Sequence, residues 1–498
     1  MFVELKNFFA QEITQIRADL FHRLQSHRTF LLRFVVAFAL CVLAPILGSL
    51  IVKQDPILIL GLATAPLALV GLQWSSSRLE LAPLIIMVVA AFMPVSLPTG
   101  TESRLVISLL LTVLFVGIWI LRMILVQKRL QLQPSPLNKP LLAFIVITIA
   151  SLLWSFAFHD PLVVAGRSVP LVRTASAVVM IMLPGAFLLV ANHIDDLRLL
   201  KAMVAIMLAL GVIAMVAHYG ADRTVAHDGG LSSMWVVSLS VGLAFFSRRM
   251  SWKIRGLLMA LASSWIFWGF GLHISWLAGW LPDFVALGVL LFMRSKKLLI
   301  VALVCMILII GFNVKYYLGT VIGDESGTSG VTRLAAWEVN WRVTGKHLFL
   351  GTGPGGYAMY YMTYFPQNAM ATHSNYVDII AQTGILGLGT VVWFFFGLVW
   401  LGYKLCLRLR GRGDFVEGLA NAALAGTVAC IVAMGFGDWL FPFAYTQTIA
   451  AFDYEVYSWL FMGMILVLDR LYPKLDPVSE AAQTIYPLPY RLASRQLP

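Results

Sequence analysis

Residues 380–402 read IAQTGILGLGTVVWFFFGLVWLG, and residues 403–412 continue YKLCLRLRGR. The first stretch holds no charged side chain. At 1.5 Å per residue it makes a helix of about 34 Å, enough to cross a hydrocarbon core of roughly 30 Å. In lipid every backbone N–H and C=O must be satisfied within the segment, so such a run is read as a transmembrane helix. Lys404, Arg408, Arg410 and Arg412 follow directly. Basic residues at the end of a span mark the cytoplasmic side.

Working outward, comparable runs fall near 34–52, 56–73, 81–96, 105–126, 140–157, 174–191 and 201–217, then near 231–247, 256–272, 277–293, 298–312, 416–434 and 448–468. The expected fold is an all-α polytopic membrane protein of about 12–14 transmembrane helices with one large periplasmic loop. The expected organisation is an interfacial N-terminus over 1–33, a helical bundle over 34–312, a periplasmic loop over 313–379, C-terminal spans over 380–468 and a cytoplasmic tail over 469–498. Arg248, Arg249, Lys253 and Arg255 share one link, and Arg294, Lys296 and Lys297 another. By alternation both lie on the side of the 404–412 link, which puts the long polar interruption outside and both termini inside.

Composition agrees. The chain of 498 residues is 60% hydrophobic and 12% charged, with a mean hydropathy of +0.85, whereas soluble domains carry about 25% charged residues. The net charge of +12 does not point to nucleic acid, because the basic residues concentrate in the links. Cys41, Cys305 and Cys430 lie in apolar runs and Cys406 beside a basic link, so neither disulfides nor a metal site is expected of them. Charged and polar residues from Lys6 to Arg33 precede the first apolar run, so no cleavable signal peptide is expected. Phe8, Phe9, Ile13, Ile16, Leu20 and Leu24 give that stretch the pattern of an amphipathic interfacial helix.

The outer loop carries the chemistry. After Gly327–Gly330, residues 331–343 have helical character, and Arg333, Trp337 and Trp341 recur at four-residue intervals on one face. That face could rest in the headgroup region with Arg333 snorkelling; alternatively, the planar guanidinium could hold phosphate oxygens in bidentate fashion. Arg342 follows Glu338 by four residues and could simply pair with it. Gly351-Thr352-Gly353-Pro354-Gly355-Gly356-Tyr357 either lets backbone amides approach a ligand or forms a plain turn, and it lacks the Gly-Lys-Ser/Thr ending of a nucleotide loop. Ala371-Thr372-His373-Ser374-Asn375-Tyr376-Val377-Asp378 then leads through Gly384 and Gly387 into the run quoted above.

The set from Arg333 to Gly387, Arg-x-x-x-Trp, a Gly-x-Gly turn, His-Ser-Asn and Gly-x-x-Gly, resembles the C-terminal signature of the O-antigen ligase and polymerase superfamily. The resemblance implies transfer of a glycan from a polyprenyl-diphosphate-linked donor to a glycan, lipid A core or protein hydroxyl acceptor at the outer face of the bacterial inner membrane. It implies His373 as the catalytic residue, acting on the acceptor hydroxyl, and arginines such as Arg333 around the donor pyrophosphate. A neutral imidazole can accept a proton from an attacking hydroxyl while the diphosphate leaves as a stabilised anion. No metal or cofactor is expected. The family often carries Ser-Arg at the outer end of an earlier span, where this chain reads His273-Ile274-Ser275-Trp276. Arg104, Arg167, Arg173 and Arg223 fall on the expected outer side and could supply that charge. Arg223 stands in an outer loop comparable to one where the family places an arginine, and Asp438, late in the chain, could orient His373 or bind sugar hydroxyls. The expected substrate-binding set is Arg333, Arg223, Arg342, Trp337, Asn375, Tyr376 and Asp438.

Three readings compete: a protein O-oligosaccharyltransferase, a transporter or flippase, and a non-catalytic assembly component. A transporter would use charged residues within its spans and often inverted repeats, and neither stands out in the sequence. His218 and His227 could suggest metal, but no paired ligand spacing recurs.

Overall fold

A computed structural model of the chain describes residues 78–93, 96–98, 104–158, 160, 162–163, 166, 169–220, 229–312, 314, 330–364, 372–443 and 449–475. The expected N-terminal helix, the runs at 34–52 and 56–73, the tail from 476, Arg167, Arg223 and His227 lie outside those residues. Of Arg104 and Arg333 only the backbone is described.

The helices belong to one compact unit, Glu80–Pro498. They are α1 (Ala82–Phe92), α2 (Ile107–Leu121), α3 (Asn138–Ala157), α4 (Val169–His193), α5 (Leu197–Tyr219), α6 (Ser232–Phe246), α7 (Trp252–Ile266), α8 (Leu277–Arg294), α9 (Lys296–Phe312), α10 (Gly330–Thr344), α11 (Tyr357–Tyr364), α12 (Asn375–Leu409), α13 (Phe415–Ala433) and α14 (Phe452–Leu475). A π-helical turn extends α2 over Arg122–Gln127 and another extends α7 over Phe267–Leu272. Among the described residues nine helices are long and apolar enough to cross a bilayer, and each run expected from residue 81 onward coincides with a helix. Strands β1 (Ser96–Pro98) and β2 (Arg104–Val106) form a short antiparallel ribbon with Leu97 opposite Leu105.

The helices alternate in direction, and their contacts fix which ends meet. At one end, Val169 at the start of α4 packs on Val163, Val343, Met359 and Tyr360, and Ser108 at the start of α2 bonds Asp453 at the start of α14. This is the loop end, where α10 and α11 sit. At the far end Arg408 pairs with Asp469, and Arg470 holds Asp195 and the carbonyls of Ala191 and Ile194. The basic links at 248–255, 294–297 and 404–412 lie together at the far end, where Arg249 N donates to Gly413 O at 2.9 Å, Arg294 stands over the Phe246 ring and Arg408 pairs with Asp469.

The centre is built from α6, α13 and α14. Lipid tails are as apolar as leucine, so helices in a membrane associate through close packing and hydrogen bonds between helices. Gly242 of α6 permits that approach: a Cβ there would stand 2.8 Å from the Ala422 Cβ of α13. Ser238 Oγ donates to the Ala422 carbonyl at 2.8 Å across the same contact. By contrast α9 buries no residue, and its apolar flanks suit direct contact with lipid.

The run quoted first is not one straight helix. α12 breaks at Gly384 (φ 69°, ψ −170°), and the glycine turn docks into the break. Thr352 N donates to Ala381 O at 2.8 Å and Gly353 N to Gln382 O at 3.0 Å. Gly355 N donates to Gln382 Oε1 at 2.7 Å, and Ile385 N returns to Leu348 O at 2.8 Å. From α3, Ser151 Oγ reaches Gln382 O at 2.7 Å. The amides of the glycine turn are therefore engaged by the protein itself. The glycines serve close backbone approach, since a Cβ on Gly353 would lie 2.3 Å from the Ser155 Cβ.

Candidate functional site

His373 stands where three elements of the loop end converge. Its backbone is left-handed, with φ 48°, a region uncommon for residues other than glycine and held here by the bonds around it. Those surroundings are explicit. On one side Trp337 of α10 donates its indole N–H to the Thr372 carbonyl at 2.6 Å. On the other, the Asn375 backbone N–H donates to Met434 O at 2.8 Å and Gly437 O at 3.1 Å. The Asn375 side chain then donates to Phe441 O at 2.7 Å and accepts from Leu440 N at 2.9 Å. The chain around His373 is thus clamped between α10 and the segment 434–443, while the imidazole itself is only half-buried, edge-on to Phe443 with ring centroids 6.5 Å apart.

The other expected residues distribute unevenly. Trp337 meets His373 through Thr372, as above. Asn375 is fully buried with its amide engaged by the protein. Tyr376 donates its hydroxyl to the Ile431 carbonyl at 2.6 Å. Arg342 pairs with Glu338 at 2.5 Å on an exposed face. Asp438 is buried in the segment held by Asn375. The turn at 273–276, where the arginine of the resemblance is missing, reaches the same neighbourhood, because Trp276 meets Trp439 with centroids 6.1 Å apart. His273 packs tilted against Trp268, and His218 stacks on the same ring at 4.4 Å and 30°. Among the described residues no group of three His, Cys, Asp or Glu side chains could hold a metal ion.

Sequence reading missed a set of buried acids behind His373. Asp378, one turn into α12, and Glu455, at the start of α14, are both fully buried and close enough to Asp438 to feel its charge. Asp378 Oδ2 accepts from Gln382 at 2.5 Å. The Tyr357 hydroxyl faces the Asp378 carboxylate without a well-formed hydrogen bond, and both Glu455 oxygens are buried without a partner among the described residues. Burial first, and the Asp378 charge second, push the Tyr357 hydroxyl well above its ordinary range, which keeps it a neutral donor. Asp453 and Asp283 are buried too. The signal was available: an acidic residue inside or bordering an apolar run is a functional candidate by default.

Beside this site, α3, α4 and α11 form a polar patch. Arg173 is buried at the start of α4 and donates to the Ser155 carbonyl at 2.6 Å, near the Tyr360 hydroxyl. Tyr360 meets His347 Nε2 at 3.2 Å. Burial holds the His347 imidazole below its ordinary value, and Asp160 opposes this in part. The Asp160 carboxyl is itself lowered, by the Leu162 N–H and then by the Tyr364 hydroxyl, which donates to it at 2.7 Å. Among the described residues, Arg173 is thus an arginine of the expected outer side whose side chain lies beside the packed loop.

Residues 273–394 match a family model described as O-Antigen ligase. The match includes the His273–Trp276 turn, the α10 helix, the glycine turn and His373. In a search of curated proteins, none matches the chain.

Proposed function

We propose, from the match of residues 273–394 to the O-antigen ligase family, that the chain moves a glycan from a polyprenyl-diphosphate donor to an acceptor hydroxyl at the periplasmic face of the bacterial inner membrane. Glycan transfer of the ligase or polymerase type is common to the family.

In the proposed reaction the acceptor oxygen attacks the anomeric carbon, forming the new glycosidic bond as the bond from that carbon to the diphosphate oxygen breaks. The configuration inverts, and the diphosphate departs with the electron pair. His373 takes the acceptor proton, and Asp438 orients the imidazole or receives sugar hydroxyls. Arg333, with Arg223 or Arg173, holds the diphosphate. No step calls for a metal, because guanidinium groups supply the positive charge that a leaving diphosphate needs.

The observation that carries the reading is the enforced left-handed backbone at His373, clamped by Trp337 and Asn375 on either side while its ring stays half-buried. Strain kept in place by surrounding bonds is a feature of functional positions. The test uses purified protein, a synthetic lipid-linked donor and added chelator. His373→Ala is expected to lose transfer by about 10²- to 10⁴-fold, the usual contribution of a general base, with donor binding retained and chelator without effect. His373→Gln active near wild type would make the imidazole a positioning group. Normal transfer by both variants would end the assignment and favour a transporter or assembly role.

A further inference from the structure

At the end of the bundle opposite His373, a polar cleft of about 380 Å³ opens between the ends of α2 and α4, lined by Trp119, Arg122, Gln127, Gln133, Asn192 and His193 among others. α4 runs from the loop cluster at Val169 to His193, so the cleft is roughly 36 Å from the loop end. It belongs to a different surface from the transfer site.

The backbone builds this cleft. Residues Arg122–Gln127 are π-helical. In an α-helix, side chains five positions apart point about 140° away from one another. The wider turn, hydrogen-bonded from i to i+5, brings Arg122 and Gln127 onto one wall. Lys128, left-handed at φ 52°, ends the helix. The returning link is then fixed from both sides: Gln133 N donates to Asn192 Oδ1 at 2.7 Å, and Asn138 Nδ2 donates to Gln133 O at 2.8 Å.

One cation in the cleft has unused capacity. No described hydrogen bond or ion pair involves Arg122. His193 Nε2 is buried without a hydrogen-bond partner among the described residues, while its ring is packed edge-on against Trp119 at 5.0 Å. The Arg122 guanidinium and the side chains of Gln127, Gln131 and Gln133 line the same cleft, and a planar guanidinium with amide donors beside it suits a ligand with several anionic oxygens. The carbonyl ends of α2 and α4 by themselves disfavour an anion, so Arg122 decides the sign of the site. We propose that this cleft binds a phosphate group, carried by a lipid headgroup at that membrane face or free in the adjoining water.

The test exchanges the purified full chain into detergent containing either dipalmitoylphosphatidylglycerol or the matched diacylglycerol, and reads retained lipid by native mass spectrometry. A parallel calorimetric titration uses inorganic phosphate. Wild type is expected to retain phosphatidylglycerol and not diacylglycerol, with Arg122→Ala weakening retention by about tenfold or more, Arg122→Lys falling between, and Lys404→Ala, at the same end outside the cleft, unchanged. Arg122 is exposed, so its variants should fold, which monodispersity checks. Phosphate binding that is lost in Arg122→Ala, without lipid retention, assigns the site to free phosphate; lipid retention that phosphate does not displace assigns it to the headgroup. Equal retention by wild type and Arg122→Ala, equal retention of diacylglycerol, or binding of neither probe by wild type would overturn the proposal.

Discussion

Asn375→Ala separates a substrate-binding residue from one that holds the site together. In the structure the Asn375 amide satisfies two buried main-chain groups, the Phe441 carbonyl at 2.7 Å and the Leu440 N–H at 2.9 Å, and Leu440 and Phe441 are both fully buried. Truncation to alanine leaves both unpaired. A stranded buried polar group costs about 1–3 kcal/mol, so the loss is about 2–6 kcal/mol in stability. The segment carrying Asp438 would loosen against the start of α12, leaving the backbone bonds from Asn375 to Met434 and Gly437 and the Ser374 hydroxyl on Met434 O. Asn375→Asp is a second probe: it keeps an acceptor for the Leu440 N–H but faces the Phe441 carbonyl with another acceptor. Both variants are expected to unfold at lower denaturant in detergent and to lose kcat, with KM little changed in the molecules that remain folded. The assay pairs a denaturant unfolding curve of the purified protein with steady-state transfer from a lipid-linked donor. Unaltered stability together with a large rise in KM would refute this reasoning and return Asn375 to the substrate.

Gly384→Ala should be poorly tolerated, because the position is left-handed and a Cβ there would stand 2.2 Å from the Phe349 carbonyl oxygen; Gly389→Ala, with open space around it, is the control, and equal membrane abundance of the two variants would count against the docking of the glycine turn. His347 gives a pH dependence whose sign is fixed. Burial lowers its folded pKa, so the unfolded chain binds the proton more readily, and the contribution to stability is complete above about 6.5 and falls as pH drops toward the folded value. His347→Gln should flatten the unfolding midpoint between mildly acidic and neutral pH, and an unchanged slope would remove the role. For orientation, an impermeant thiol reagent applied from outside should label Ser326→Cys and not Ser295→Cys; the reverse would put the proposed donor on the wrong side.

The sequence by itself determined the class of fold and the alternation of the chain. A run such as 380–402 can satisfy its backbone in lipid only as a helix, and the basic links at 248–255, 294–297 and 404–412 had to gather at one end. It also marked out the stretch from Arg333 to Gly387, which lies within the segment matched by the O-antigen ligase family. Tertiary structure alone decided what surrounds His373. The Gly351–Gly356 amides could equally have met a ligand; whether they do depends on Ala381 and Gln382, which become available only because α12 breaks at Gly384. Asn375 looks like a substrate contact beside His373 until Leu440 and Phe441, some 65 positions away, close around its amide. Asp378, Asp438 and Glu455 are acids scattered along the chain that share one buried neighbourhood only when α12, the 434–443 segment and α14 are packed together. Hydropathy and charge act on each segment locally and can be read in order. Hydrogen-bond satisfaction and burial depend on partners that the fold brings from elsewhere, so they exist only in the assembled structure.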